Sequence, residues 1–175
     1  FRTNSNVEIW DQNKKRLFEF PKIEYAIRSL NSLIKSIIYF KKKLPGVNLK
    51  LIILDDHSSK ENIEKLKKIS EKETSIELIS LNHEKYKNII KKQKTLETFS
   101  NLASLLNSFE IGKDKGEDLI FFVEDDYLHF ETMLEEMVVS FERISSQLNK
   151  DIFICPSDYP YLYMNNEKTN ILIGN

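Results

Sequence analysis

The feature that most constrains this 175-residue chain is a repeated junction, in which a short apolar run stops directly at a cluster of acids. Leu49 to Leu54, broken once by Lys50, stops at Asp55-Asp56-His57-Ser58-Ser59. Leu119 to Val123 stops at Glu124-Asp125-Asp126. Apolar runs of this length suit strands buried on both faces, as in a parallel sheet. Strands of a parallel sheet all end on one edge, so acids far apart in sequence are expected to meet in one crevice there.

The segments between these junctions carry the helical period. Residues 22–43 are predicted to form a helix, with Ile23, Ile27, Leu30, Ile34, Ile37 and Ile38 recurring every three to four residues. Pro21 precedes it and Pro45-Gly46 closes it. Ser58 or Ser59 is placed to cap a second helix, with Ile63, Leu66 and Ile69 on its inner face. Residues 88–109 read as a third helix, with Leu96, Phe99, Leu102, Ala103, Leu106 and Phe109 inward, and Gly112 and Gly116 mark the turn after it. Residues 130–148 read as a fourth, with Met133, Leu134, Met137, Val138, Phe141 and Ile144 on one face. The expected strands are 49–54, 76–81, 119–123 and 151–155, and Ile171-Leu172-Ile173 would begin another. Phe1-Arg2-Thr3 fits the last residues of a first strand. This alternation predicts an α/β fold: a mostly parallel sheet, right-handed crossovers and helices on both faces.

Composition narrows the function. With a net charge of −1, the chain has no general basic field for nucleic acid, and its lysines alternate with glutamates on helix surfaces. No apolar stretch is long enough to span a membrane. The single cysteine, Cys155, rules out an internal disulfide and is expected to be a buried, inert thiol. One domain covers residues 1–175; the first residue, Phe1, and the abrupt last residue, Asn175, are expected to be trimmed ends. Localisation is expected to be cytoplasmic, with any membrane association supplied by regions outside this chain.

Gathered carboxylates repel one another and lose hydration, and a bound divalent cation offsets both costs. If Glu124 and Asp126 lie in a strand, they point the same way across Asp125. A thiolate-free, oxygen-rich set suits Mg²⁺ or Mn²⁺ shared with substrate phosphates. The alternative is that these acids only form turns and cap helices.

On these residues the chain resembles family 2 glycosyltransferases of the GT-A fold, a Rossmann-like architecture that binds nucleotide-diphospho-sugars. Leu51-Ile52-Ile53-Leu54-Asp55-Asp56-His57-Ser58-Ser59 is similar to their first aspartate motif, and Phe121-Phe122-Val123-Glu124-Asp125-Asp126-Tyr127 to their metal-binding D-x-D motif. The resemblance implies a metal-dependent, hexosyltransferase-like enzyme that moves a sugar from a nucleotide-sugar donor, UDP- or GDP-linked, to a glycan, lipid or protein acceptor. It implies that Asp56 hydrogen-bonds the base, with Arg2 and Thr3 beside it. It further implies that Asp126 binds Mn²⁺ or Mg²⁺, that Glu124 stands where the motif has its first aspartate, and that Asp125 holds the ribose or the metal's water shell. His57 stands where the family commonly has glycine. Inverting members use a downstream carboxylate as base, and Asp158, between two prolines, is the acidic loop candidate; it is equally a turn residue.

Weaker features complete the reading. His129 is expected on the surface of a first helical turn, with an approach to the phosphates as the alternative, and His83 in a polar loop without a partner. Tyr159, Tyr161 and Tyr163 could stack on a sugar or pack a strand margin, and Trp10 could pack the loop after the first strand. Two other functions compete: an Mg²⁺-dependent phospho-receiver domain, and a catalytically inactive nucleotide-binding module. The long separation between the acid clusters, and the lack of a lysine after a later strand, count against the receiver.

Overall fold

The computed structural model describes residues 1–6, 20–70, 76–91 and 95–155. It is an α/β structure with a three-stranded parallel sheet. β1 (Arg2–Thr3), β2 (Leu51–Asp55) and β3 (Ile76–Ser80) lie side by side in that order, with Leu54 opposite Arg2 and Asp55 opposite both Thr3 and Ser80. A fourth segment joins the open side of β1: Arg2 N donates to Val123 O at 2.8 Å, and Arg2 and Glu124 form a parallel bridge. The spatial order is therefore β3-β2-β1 and then residues 123–124, so the direction of connection reverses at β1.

The expected helix at 22–43 is present as α1 (Lys22–Lys43). Its inner stripe is wider than the isoleucines alone, since Ala26, Leu33 and Phe40 are also buried. Ser59 caps α2 (Lys60–Ser70), accepting from Asn62 N at 3.2 Å.

The third helix differs from the expected 88–109. A short 3₁₀ turn occupies His83–Tyr86, and α3 runs Leu96–Lys115. Thr95 caps α3 by accepting from Thr98 N, which fixes the later start. The helix passes through Gly112 and stops at Gly116, whose N–H donates to Gly112 O at 2.8 Å. Leu96 and Phe109, expected inward, are exposed, while Ala103 is fully buried. The last helix, α4, spans Met133–Leu148.

β2 separates two apolar layers by the alternation of its side chains. Leu51 and Ile53 join a core with α1, Leu66, Val123 and Leu134, while Leu54 faces a second core with Leu81, Tyr86, Ile90 and Ala103. β3 repeats the split, Ile76 and Leu78 on the first side and Ile79 on the second. Helices α1 and α2 therefore cover one face and α3 the other, as right-handed crossovers require once the direction reverses, and α4 packs on the α1 face.

Two expected strands are not formed among the described residues. Residues 119–123 form no strand and meet β1 only at their end, because β1 offers just two residues to pair with. Phe121 packs on the first core, whereas Leu119, Ile120 and Phe122 are exposed. Residues 151–155 pair with no described strand, so Phe153 and Cys155 stand exposed rather than buried. Among the described residues no helix is long and apolar enough to cross a membrane.

A serine row on α1 fixes the loop that follows Val123. Ser29 Oγ donates to Glu124 O at 3.4 Å, Ser32 Oγ accepts from His129 N at 3.0 Å, and Ser36 Oγ accepts from Leu134 N at 3.1 Å. Thr132 makes no side-chain cap, so the buried Ser36 serves α4 in its place.

Candidate functional site

The loops after β1, β2 and β3 meet at the carboxyl edge of the sheet, beside the turn at Asp125–Asp126. This edge, where the connections reverse direction, is where open α/β sheets place ligands. Two buried carboxylates dominate it.

Asp56 is only 3% exposed. Its N–H donates to Thr3 O at 2.9 Å, which ties the strand end to β1. Oδ2 accepts from Asn4 Nδ2 at 3.1 Å and from the Ser100 hydroxyl. Oδ1 lies 2.8 Å from His57 Nδ1 and 2.8 Å from His83 Nε2. His57 adopts φ 61°, the left-handed region, at the position where the resemblance expects glycine. Histidine is among the residues that tolerate this conformation best.

Asp125 is 6% exposed. Its Oδ2 accepts from Thr3 Oγ1 at 2.8 Å and from Asn4 N at 3.3 Å, and its Oδ1 accepts from Lys22 Nζ at 2.6 Å. Asn4 therefore contacts both carboxylates, one through its backbone and one through its side chain.

The other acids are arranged differently. Asp55 is buried and turns back to Ser58 N at 3.1 Å. Burial raises its pKa, against the lowering effect of the Ser58 hydrogen bonds. Glu124 is exposed and pairs with Arg2, whose guanidinium also donates to Asn101 Oδ1 at 2.8 Å. Asp126 is exposed and has no ion-pair partner at contact distance among the described residues. Its pKa is raised by desolvation first and by the charges of Asp125 and Glu124, and lowered by Lys22. The chain turns at Asp125–Asp126, so the strand alternation expected to align Glu124 with Asp126 stops short of them.

The two motifs expected to meet do so, through Asp56 and Asp125. Arg2 and Thr3 are at the site, but their side chains hold Glu124 and Asp125. A neighbouring cleft of about 470 Å³, lined in part by His57, Lys60, Ile63 and Leu78, lies on the β2–β3 side and does not include Asp125 or Asp126. Asp158, Trp10, Tyr159, Tyr161, Tyr163 and the run 171–173 lie outside the described residues.

Sequence reasoning missed four residues of the network: Asn4, Lys22, His83 and Ser100. His83 was legible in principle. It lies three positions past Ser80, which is in register with Asp55, so its loop had to emerge beside Asp56. Lys22 and Ser100 had no local signal, because only helix packing aims them inward. His129, expected on the surface, is half-buried against the edge of Phe121, and its Nε2 has no partner among the described residues. Burial lowers its pKa and keeps the ring neutral.

Comparison of the chain with protein-family models, with curated proteins and with solved structures gives no match.

Proposed function

We propose that this chain is the donor-binding part of a metal-dependent glycosyltransferase with a GT-A-like, Rossmann-type sheet. One observation supports the reading: Asn4, just past β1, hydrogen-bonds both Asp56 and Asp125, so the two acid motifs come together at the sheet edge where the chain connections reverse. In this reading Asn4, held by Asp56, forms the base end of the site, and the turn at Asp125–Asp126 forms the phosphate end.

The acids fit Mn²⁺ or Mg²⁺. Arg2 occupies Glu124 and Lys22 occupies Asp125, which leaves the exposed Asp126 to face an incoming ion. These cations are commonly held by one or two carboxylates plus substrate phosphates, so a single outer acid is enough. When bound, the cation supplies Lewis-acid stabilisation of the departing nucleoside diphosphate. Lys22 and Thr3 hold Asp125 in place, and Arg2 holds Glu124. Deprotonation of the acceptor hydroxyl is assigned to a downstream carboxylate, with Asp158 as the proposed base.

The test is calorimetric titration of UDP and GDP, with and without Mn²⁺. Binding enhanced by Mn²⁺ supports the reading. Failure of both nucleotides to bind in either condition overturns it.

A further inference from the structure

We propose a second cation site, for a Zn²⁺-class transition ion, formed by Asp56 Oδ1, His57 Nδ1 and His83 Nε2. It is distinct from the Mn²⁺ or Mg²⁺ position at Asp126 and does not rest on the glycosyltransferase reading.

The chain has three histidines, and two of them converge on a single carboxylate oxygen. The three ligand atoms lie within 4.8 Å of one another. Two imidazole nitrogens and one carboxylate form the donor set of catalytic zinc sites and of related first-row metal sites that keep an open position. Imidazole favours these ions over Mg²⁺ and Ca²⁺, which separates this site chemically from an all-oxygen one.

The surroundings already hold each ligand in place. Asn4 and Ser100 take Oδ2 of Asp56, so Oδ1 alone is turned to the imidazoles. Phe99 packs edge-on against the His83 ring with centroids 5.8 Å apart. Such outer contacts are what orient metal ligands. His57 lies beside the His83 ring, with centroids 4.5 Å apart, and its side chain is 63% exposed and so able to adjust.

The two carboxylate–imidazole distances lie near those of a zinc site. Zinc bonds of about 2.0–2.1 Å at tetrahedral angles set ligand atoms roughly 3.3 Å apart. Each imidazole nitrogen is 2.8 Å from Oδ1, so the cluster must open by about half an ångström. Rotation of the exposed His57 ring and a small shift of the 3₁₀ turn carrying His83 supply that.

The experiment titrates Zn²⁺, and separately Co²⁺, into chelator-treated protein without nucleotide. One Zn²⁺ should bind per chain, and Co²⁺ should give visible d–d bands of a four- or five-coordinate nitrogen-oxygen site. His57→Ala and His83→Ala should each weaken Zn²⁺ binding by at least about tenfold, whereas His129→Ala should leave it unchanged. Asp56→Asn preserves shape if Asp56→Ala fails to fold, and it should also weaken binding. No Zn²⁺ binding, or binding indifferent to both His57→Ala and His83→Ala, would reduce the cluster to a hydrogen-bonded brace for the β2 loop. Because no nucleotide is present, that failure is separate from failure of the nucleotide titration.

Discussion

The hydroxyl of Thr3 donates to the carboxylate of Asp125 across 2.8 Å, joining two residues 122 positions apart in the chain. Thr3 is 2% exposed, so neither group can turn to water instead. Thr3→Val keeps the shape but leaves one Asp125 lone pair unsatisfied in a buried place. That should cost about 1–3 kcal/mol, measured by urea unfolding. Asp125→Ala should cost more, because it also leaves the half-buried Lys22 ammonium without its partner. A Thr3→Val loss under about 0.5 kcal/mol would mean that the bond contributes little.

Asp126→Asn separates binding from folding. The substitution keeps the volume and removes one charge from a cluster that already holds Glu124 and Asp125. We expect metal-enhanced nucleoside diphosphate binding to vanish, since an ion held by Asp126 would share its ligands with the phosphates and the two would then bind cooperatively. Stability should hold or rise slightly, by no more than about 1 kcal/mol, because the side chain is exposed and its repulsion is screened by solvent. Equal, metal-enhanced affinity in the variant removes the metal role from Asp126. Thermal melts of the two apo forms check the stability half.

The two glycines near the end of α3 should respond unequally to alanine. A Cβ at Gly116 would lie 2.5 Å from Gly112 O and 2.6 Å from the Ile120 side chain. Backbone stands in the way, so Gly116→Ala should destabilise by about 1–3 kcal/mol. A Cβ at Gly112 meets the tip of Phe122 at 3.2 Å, and Phe122 is exposed and able to yield. Helix propensity then favours alanine by about 1 kcal/mol, leaving Gly112→Ala near neutral. Chemical denaturation of both variants decides; equal losses would mean that α3 does not continue through Gly112.

His129 should make stability depend on pH in a defined direction. Burial lowers its pKa in the folded chain, so the unfolded chain binds more protons near and below the ordinary imidazole value. Its contribution is complete above about pH 6.5 and is lost as the pH falls through the lowered folded value. His129→Leu removes that titration. Between about pH 7.5 and pH 5.5 the parent should therefore lose more stability than the variant, at no more than about 1.4 kcal/mol per pH unit. Parallel pH dependences would show that the imidazole is solvated in both states.

What the sequence determined by itself was whatever repeats locally. The three-to-four spacing of apolar residues marks α1 to its observed ends, because a helix needs only its own stripe and a core to cover it. The run ending at Asp55 was legible as a buried parallel strand, because both its faces are apolar. The meeting of the two acid motifs followed from the same logic, since parallel strands share an edge. The remainder depended on partners distant in the chain. Residues 119–123 are as apolar as β2, yet pairing needs a neighbour, and β1 reaches them only at Val123 and Glu124. The fate of each acid was equally hidden. Asp125 is buried because Thr3, Asn4 and Lys22 converge on it, Glu124 is drawn off by Arg2, and Asp126 faces outward. Adjacent carboxylates are chemically alike, so only the positions of neighbouring hydrogen-bond donors and cations, set by packing, could assign them different roles.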